Sequence, residues 1–162
     1  MPFWKKDLQT LRKNGFHSMK KLQAWISACR LRTLPLSISG AILGSGVAYS
    51  EGVFVLSVFV LTILTTLSLQ ILSNLANDYG DGVKGTDNKN RIGPERALQS
   101  GIISPKQMRR AIVVNVIICL FLVVTLICQA FGTDQFLIPF IFIVLGALAI
   151  IAAIKYTVGV SA

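Results

Sequence analysis

The sequence predicts an all-α, polytopic transmembrane helix bundle with four spans. Hydrophobic residues make up 53% of the 162 residues and charged residues only 14%, whereas a soluble domain carries about 45–50% apolar and about 25% charged. Four stretches, near 33–50, 53–77, 111–133 and 135–154, hold no Asp, Glu, Lys or Arg and together cover 86 residues. A hydrocarbon core of about 30 Å takes about 20 helical residues to cross, so each stretch reaches or nears the needed length. The third observation is where the basic residues fall. Eight Lys or Arg precede Thr33, seven lie between the second and third spans, Lys155 follows the fourth, and the other two connections have none.

Under the positive-inside rule this pattern places the N-terminus, the loop 78–110 and the C-terminus in the cytoplasm. The net charge of +9 is then mainly topological. It does not indicate nucleic acid, because the basic residues do not form one continuous surface between the spans.

Residues 1–32 lack the compact apolar core of a cleavable signal. Phe3, Trp4, Leu8 and Leu11 recur at roughly helical spacing among lysines, which predicts a basic amphipathic leader lying in the interface. His17 has no metal-ligand companion. Trp25, Arg30 and Arg32 sit where headgroup anchors are expected, and Arg32 could also face a substrate. Residues 33–162 form the transmembrane portion.

The first span carries Pro35 at its start, where helix donors are unpaired anyway. It also contains Gly40 and Gly44 as G-x-x-x-G, for which tight packing within the chain is expected rather than dimerisation. Cys119 and Cys128 in the third span read as small hydrophobes, and Cys29 likewise as structural.

The second span is polar along one face of its cytoplasmic half. With Gln70 at zero and about 100° per residue, Asn74, Asn77 and Asp81 all fall within about 40° of it. Such a stripe cannot face lipid without leaving amides unsatisfied, so it turns to the bundle interior or to a wet cavity. It runs into Asn77-Asp78-Tyr79-Gly80-Asp81-Gly82-Val83-Lys84-Gly85-Thr86-Asp87. Gly82 and Gly85 allow a turn that brings Asp87 back toward Asn77 and Asp81. Clustered carboxylates repel unless a cation lies among them, and the negative end of the helix adds to that attraction. Oxygen-only ligands suit a hard cation, and Mg²⁺ is commonly held by one or two carboxylates together with substrate phosphates.

Two other loop motifs fail. An EF-hand starting at Asp87 would put Lys89 and Arg91 at ligand positions, and a P-loop would need Lys where Thr86 follows Gly85. The remaining loop is basic, with Lys84, Lys89, Arg91 and Arg96 near the acids. Carboxylates, a divalent cation and guanidinium groups together make a diphosphate site. Stabilising diphosphate as a leaving group promotes ionisation of a C–O bond, and an apolar cavity that excludes water lets an electron-rich acceptor capture an allylic cation.

These residues resemble the UbiA-type intramembrane aromatic prenyltransferases. The run from Asn74 to Asp87, followed by Arg91-Ile92-Gly93-Pro94-Glu95-Arg96, and the segment Trp25 to Ser37, are similar to the branch that prenylates 1,4-dihydroxy-2-naphthoate in menaquinone biosynthesis. The resemblance covers Trp25 to about Gly159. It implies transfer of a polyprenyl group from polyprenyl diphosphate to dihydroxynaphthoate, with loss of carboxylate and diphosphate, giving demethylmenaquinone. It assigns Asn77, Asp81 and Asp87 to Mg²⁺ and catalysis, with Asn74, Asp78, Lys84, Arg91, Arg96, Arg32 and Tyr156 as substrate-binding candidates. It implies a location in the bacterial plasma membrane.

The same resemblance implies about twice as many spans and a second Asp-rich motif in a second half. A Tyr-x-x-x-Lys is expected after the fourth span, but Tyr156 is followed at the fourth position by Val160. The expectation is therefore an N-terminal portion, the first half of a larger bundle, with little or no transferase activity alone. A competing reading is a small transport or scaffold protein with the polar stripe lining an ion pathway. It needs polar partners on facing spans, where Ser37, Ser39, Asn115 and Gln129 are the main ones. A noncatalytic fragment that binds membrane partners is a third reading.

Overall fold

The computed structural model describes residues 18–84, 97–132 and 137–158. Every regular element among them is helical. Residues 18–29 form α1. The chain then breaks at Arg30, whose φ of 49° is left-handed, passes through a 3-10 turn at Leu31–Thr33, and enters α2, Leu34–Ser50. Gly52, with φ 73°, reverses the chain into α3, Leu56–Lys84. Helices α4, Pro105–Phe131, and α5, Leu137–Val158, complete the bundle. Four helical stretches, Ser18–Ser50, Leu56–Val83, Pro105–Phe131 and Leu137–Lys155, are long and apolar enough to cross a membrane.

Helix α3 is the hub and packs against α2, α4 and α5, while α4 also packs against α5. Side-chain pairs fix the directions. Ser68 meets Asn115 and Ser57 meets Gln129, so α3 and α4 run antiparallel. Ser37 meets Gln70 and Thr33, just before α2, meets Asn74, so α2 runs antiparallel to α3. Phe131 stacks on Phe142 and Val123 meets Gly146, so α5 is antiparallel to α4 and parallel to α3, with Leu72 and Ile150 in one buried cluster with Cys119.

Exposure is inverted relative to a soluble protein. Leu36 is 79% exposed, Leu43 71% and Phe121 70%, while the most buried positions include Ala76, Leu72 and Cys119 at 0%. Large apolar side chains exposed over the outside, with an interior that adds polar Asn74, Asp78, Thr65 and Ser68 to its apolar core, suit a bundle solvated by lipid tails. At the basic end a second cluster joins Ala24 and Ala28 of α1 to Leu75, Ala97, Ile103 and Met108. Residues 18–29, expected as part of an interfacial leader, thus pack into the bundle through two alanines. Phe3, Trp4, Leu8 and Leu11 lie outside the described residues.

The helices overrun the charge-free stretches. α3 has 29 residues, roughly 43 Å against a hydrocarbon core of about 30 Å. It continues to Lys84, so residues 78–84, expected in the loop, are helical. α4 starts at Pro105 rather than near 111, because Ser104 and Gln107 form a reciprocal capping box and proline occupies the first helical position. Both features favour a helix start in water. Apolarity marks where the hydrocarbon ends, whereas a helix ends where its caps are.

Among the described residues, nothing packs closely on the G-x-x-x-G of α2. A Cβ placed on Gly40, Gly44 or Gly46 would meet nothing within 4 Å, whereas one on Gly146 of α5 would come within 2.8 Å of Val123 Cγ1. The close helix approach expected from a small residue occurs at Gly146 instead.

Candidate active site

The polar face of α3 divides into two functional halves. Its lower half closes the corner between α1 and α2. Asn74 Nδ2 donates to the Cys29 carbonyl at 2.9 Å and to Thr33 Oγ1 at 3.4 Å. Gln70 Nε2 donates to Thr33 Oγ1 at 3.4 Å and to Asn74 Oδ1 at 3.3 Å, and Gln70 Oε1 accepts from Ser37 at 2.8 Å. Thr33 Oγ1 in turn donates to the Arg30 carbonyl at 2.9 Å. Asn74 is 5% exposed. It was expected among the substrate-binding residues, but its amide is engaged in holding this corner. Thr33 and Ser37 do work there that residue spacing alone did not assign to them.

The upper half holds the expected ligand groups. Asn77 and Asp81 lie one turn apart on one helix face and are both half-buried. Asp78 falls to the side of that face and is 3% exposed, in the α3 turn that carries Tyr79 against the α1 cluster. Arg32 is exposed in the last turn of the 3-10 segment. The Asn74–Thr33 contact fixes that segment beside α3.

Lys84 ends α3 and Tyr156 lies in the last turn of α5. Because α5 runs parallel to α3 with Ile150 level with Leu72, the backbone at Tyr156 comes to about the depth of Asp78. Asp87, Arg91 and Arg96 lie outside the described residues. The structure thus brings Asn77 and Asp81 onto one face and Arg32 to the same end of the bundle.

Among the described residues, no three His, Cys, Asp or Glu side chains gather into a metal-holding group. The donors that do share the α3 face are an amide oxygen and a carboxylate, with neither sulfur nor imidazole beside them. That set fits a hard divalent cation as a partial shell. A position near the C-terminal end of a helix, where the dipole is negative, also fits a cation.

The polar groups expected to line an ion pathway each make a hydrogen bond within the bundle. Ser37 bonds Gln70, Asn115 bonds Ser68 at 2.8 Å, and Gln129 donates to Ser57 at 3.2 Å. Ser39 bonds the Leu36 carbonyl of its own helix. These contacts join neighbouring helices or turn back on the same helix.

Comparison with known proteins agrees with this geometry. Residues 37–161 match the UbiA prenyltransferase family. The chain is 44% identical over 142 residues to 1,4-dihydroxy-2-naphthoate octaprenyltransferase of Escherichia coli (strain K12), covering 87% of this chain and 45% of that protein. It is 44% identical over 144 residues to the enzyme of the same name from Haemophilus influenzae, covering 87% and 46%. The Mycobacterium tuberculosis enzyme of that name is 36% identical over 93 residues, or 57% of this chain and 32% of the relative. No solved structure matches. The chain spans about half the length of the first two relatives. A helical membrane bundle, a polar face at the end of its central helix, and a family match over most of its length lead to one statement: this chain belongs to the UbiA prenyltransferase family.

Proposed function

We propose that this chain carries one half of a diphosphate-activating site that transfers a polyprenyl group to 1,4-dihydroxy-2-naphthoate. The observation that carries the reading is the pairing of Asn77 and Asp81 on one face near the C-terminal end of α3, within a sequence 44% identical to proteins named for that transfer. Asn77, Asp81 and Asp87 would hold Mg²⁺. When bound, the ion would neutralise diphosphate charge and help the group leave.

The remaining roles belong to the chain itself. Arg32, Lys84, Arg91 and Arg96 are proposed to bind diphosphate oxygens, where guanidinium forks suit phosphate geometry. Asp78 and Tyr156 are proposed to orient substrate from the α1 and α5 sides. Asn74 acts as a positioning residue by holding the corner that carries Arg32. Lipid-facing helices α2 to α5 keep water from the prenyl chain, so the allylic carbon meets the electron-rich ring before it meets water. Diphosphate departs with the electron pair of the C–O bond, the ring carbon bonds the allylic carbon, and the carboxylate then leaves as CO2 and returns its bonding pair to the ring, which gives the demethylmenaquinone skeleton in its quinol form. The proposed setting is the bacterial plasma membrane, with the motif end of α3 and both termini in the cytoplasm, as the distribution of basic residues supports.

A chimera tests this reading. Residues of the Escherichia coli relative that align with this chain are exchanged for those of the chain, and demethylmenaquinone is measured in a strain lacking the native enzyme. The expected result is restored synthesis that an Asp81→Asn chimera loses. A membrane-inserted chimera that makes no prenylated naphthoquinone would contradict it.

A further inference from the structure

Away from the polar face of α3, the leader helix and the start of α4 form a shallow, open cleft of about 330 Å³ lined by Lys21, Trp25, Gln107, Arg110, Ala111 and Val114. None of Asn77, Asp78, Asp81 or Arg32 lines it, so its interpretation is independent of the diphosphate reading. Lys21 and Trp25 are one turn apart on α1, and the four α4 residues recur at helical spacing on one face. The cleft therefore has a basic mouth made by two elements and an apolar floor made by one.

Three features distinguish it from a set of topogenic charges. Lys21 is half-buried rather than free on the surface, and Trp25 is packed against the α1 core cluster, which fixes its ring at the cleft wall. Among the described residues, no acidic side chain lines the cleft to neutralise the two cations. The floor at Val114, 51% exposed, continues into Ile117 at 62% and Phe121 at 70%, an apolar strip running down the outside of α4. Retention of a loop on one side of a membrane needs only the charge. It does not need a concave wall that leads from cations to apolar surface.

We propose that this cleft binds the phosphate head group of an anionic phospholipid from the surrounding leaflet, with one acyl chain lying along Val114, Ile117 and Phe121. Basic pockets between membrane helices attract such head groups, and aromatic side chains sit at the same depth. Arg110 supplies a phosphate-matched fork, Lys21 a mobile ammonium, and Gln107 an amide at the rim. A free phosphate would use the cations and gain nothing from the apolar strip.

The test titrates the purified full chain in neutral detergent with phosphatidylglycerol, phosphatidylcholine or inorganic phosphate, and reads one-to-one complexes by native mass spectrometry. Phosphatidylglycerol is expected to bind more tightly than phosphatidylcholine, and inorganic phosphate at equal concentration is expected not to displace it. Lys21→Gln with Arg110→Gln should weaken phosphatidylglycerol roughly 30-fold, the product of two near-surface charge contacts. Lys106→Gln with Arg109→Gln removes the same charge outside the cleft and should leave affinity within about 3-fold.

Equal loss in the two double variants would show a diffuse basic surface and overturn the proposal. Displacement by inorganic phosphate, or no preference for the anionic lipid, would overturn it equally. Ala111→Phe fills the floor without changing charge and should also weaken binding. Circular dichroism checks the fold of each variant. If the charge variant unfolds, unchanged affinity in a folded Ala111→Phe chain overturns the proposal, and reduced affinity supports it.

Discussion

Asn74 of α3 donates to the Cys29 carbonyl at the end of α1 across 2.9 Å. One side chain thereby ties the longest helix to the corner where the leader turns into the first full helix. Left-handed Arg30 needs such support, because a non-glycine residue in that conformation costs roughly 1–2 kcal/mol. The bond's role is architectural.

Replacing Asn74 with Leu should loosen that corner. Hydrogen bonds between membrane helices average about 0.6 kcal/mol and reach about 2 kcal/mol, so tryptic cleavage after Arg30 and Arg32 should accelerate roughly 3- to 30-fold if opening precedes cleavage. Gln70→Leu leaves the Asn74–Cys29 bond in place and should accelerate it less.

At Gly82 the helix presses on the segment that returns to α4. An added Cβ would collide with Leu98 Cδ2 and lie 3.1 Å from Cγ and 3.2 Å from Cβ of the same residue. Rotating one methyl would not clear all three atoms. Gly82→Ala should therefore cost about 1–3 kcal/mol in detergent unfolding, and Leu98→Ala in the same chain should recover much of it.

The glycines of α2 and α5 should respond oppositely. Gly40 and Gly44 face open space, so substitution by Ala should be neutral or raise stability by up to about 1 kcal/mol through helix propensity. Gly146→Ala meets Val123 Cγ1 at 2.8 Å and should lower it. Thermal loss of helicity compares the three variants directly.

Thr65 offers a gain. Its Oγ1 is buried and has no hydrogen-bond partner among the described residues. Thr65→Val keeps the shape and removes an unsatisfied polar atom, so stability should rise by about 1 kcal/mol. A loss of similar size would mean that the hydroxyl has an unrecognised partner.

The class of fold was legible because lipid and water impose opposite demands on side chains, and the alternation of charged and charge-free segments records both. The face shared by Asn77 and Asp81 was legible because a helix repeats at a known angle. Less legible was which stripe residues hold the frame. Asn74 and Asn77 are one turn apart and chemically identical, and only the arrival of Cys29 and Thr33 beside Asn74 sets it apart. The ends of α3 and α4 were misplaced because hydropathy is silent once a helix enters water. The Ser104-Pro105-Lys106-Gln107 run carried the α4 start signal. The glycine stripe of α2 misled because small residues permit close packing but do not say which helix supplies it.

The most direct measurement of the central claim is calorimetric titration of the detergent-purified chain with farnesyl thiodiphosphate, an unreactive diphosphate probe, with Mg²⁺ or with EDTA. The account predicts binding that requires Mg²⁺ and that falls at least about tenfold in Asp81→Asn, the loss of roughly 1.4 kcal/mol from one charged ligand. Binding of equal strength with EDTA, or an Asp81→Asn chain with unchanged affinity and unchanged Mg²⁺ dependence, would contradict it.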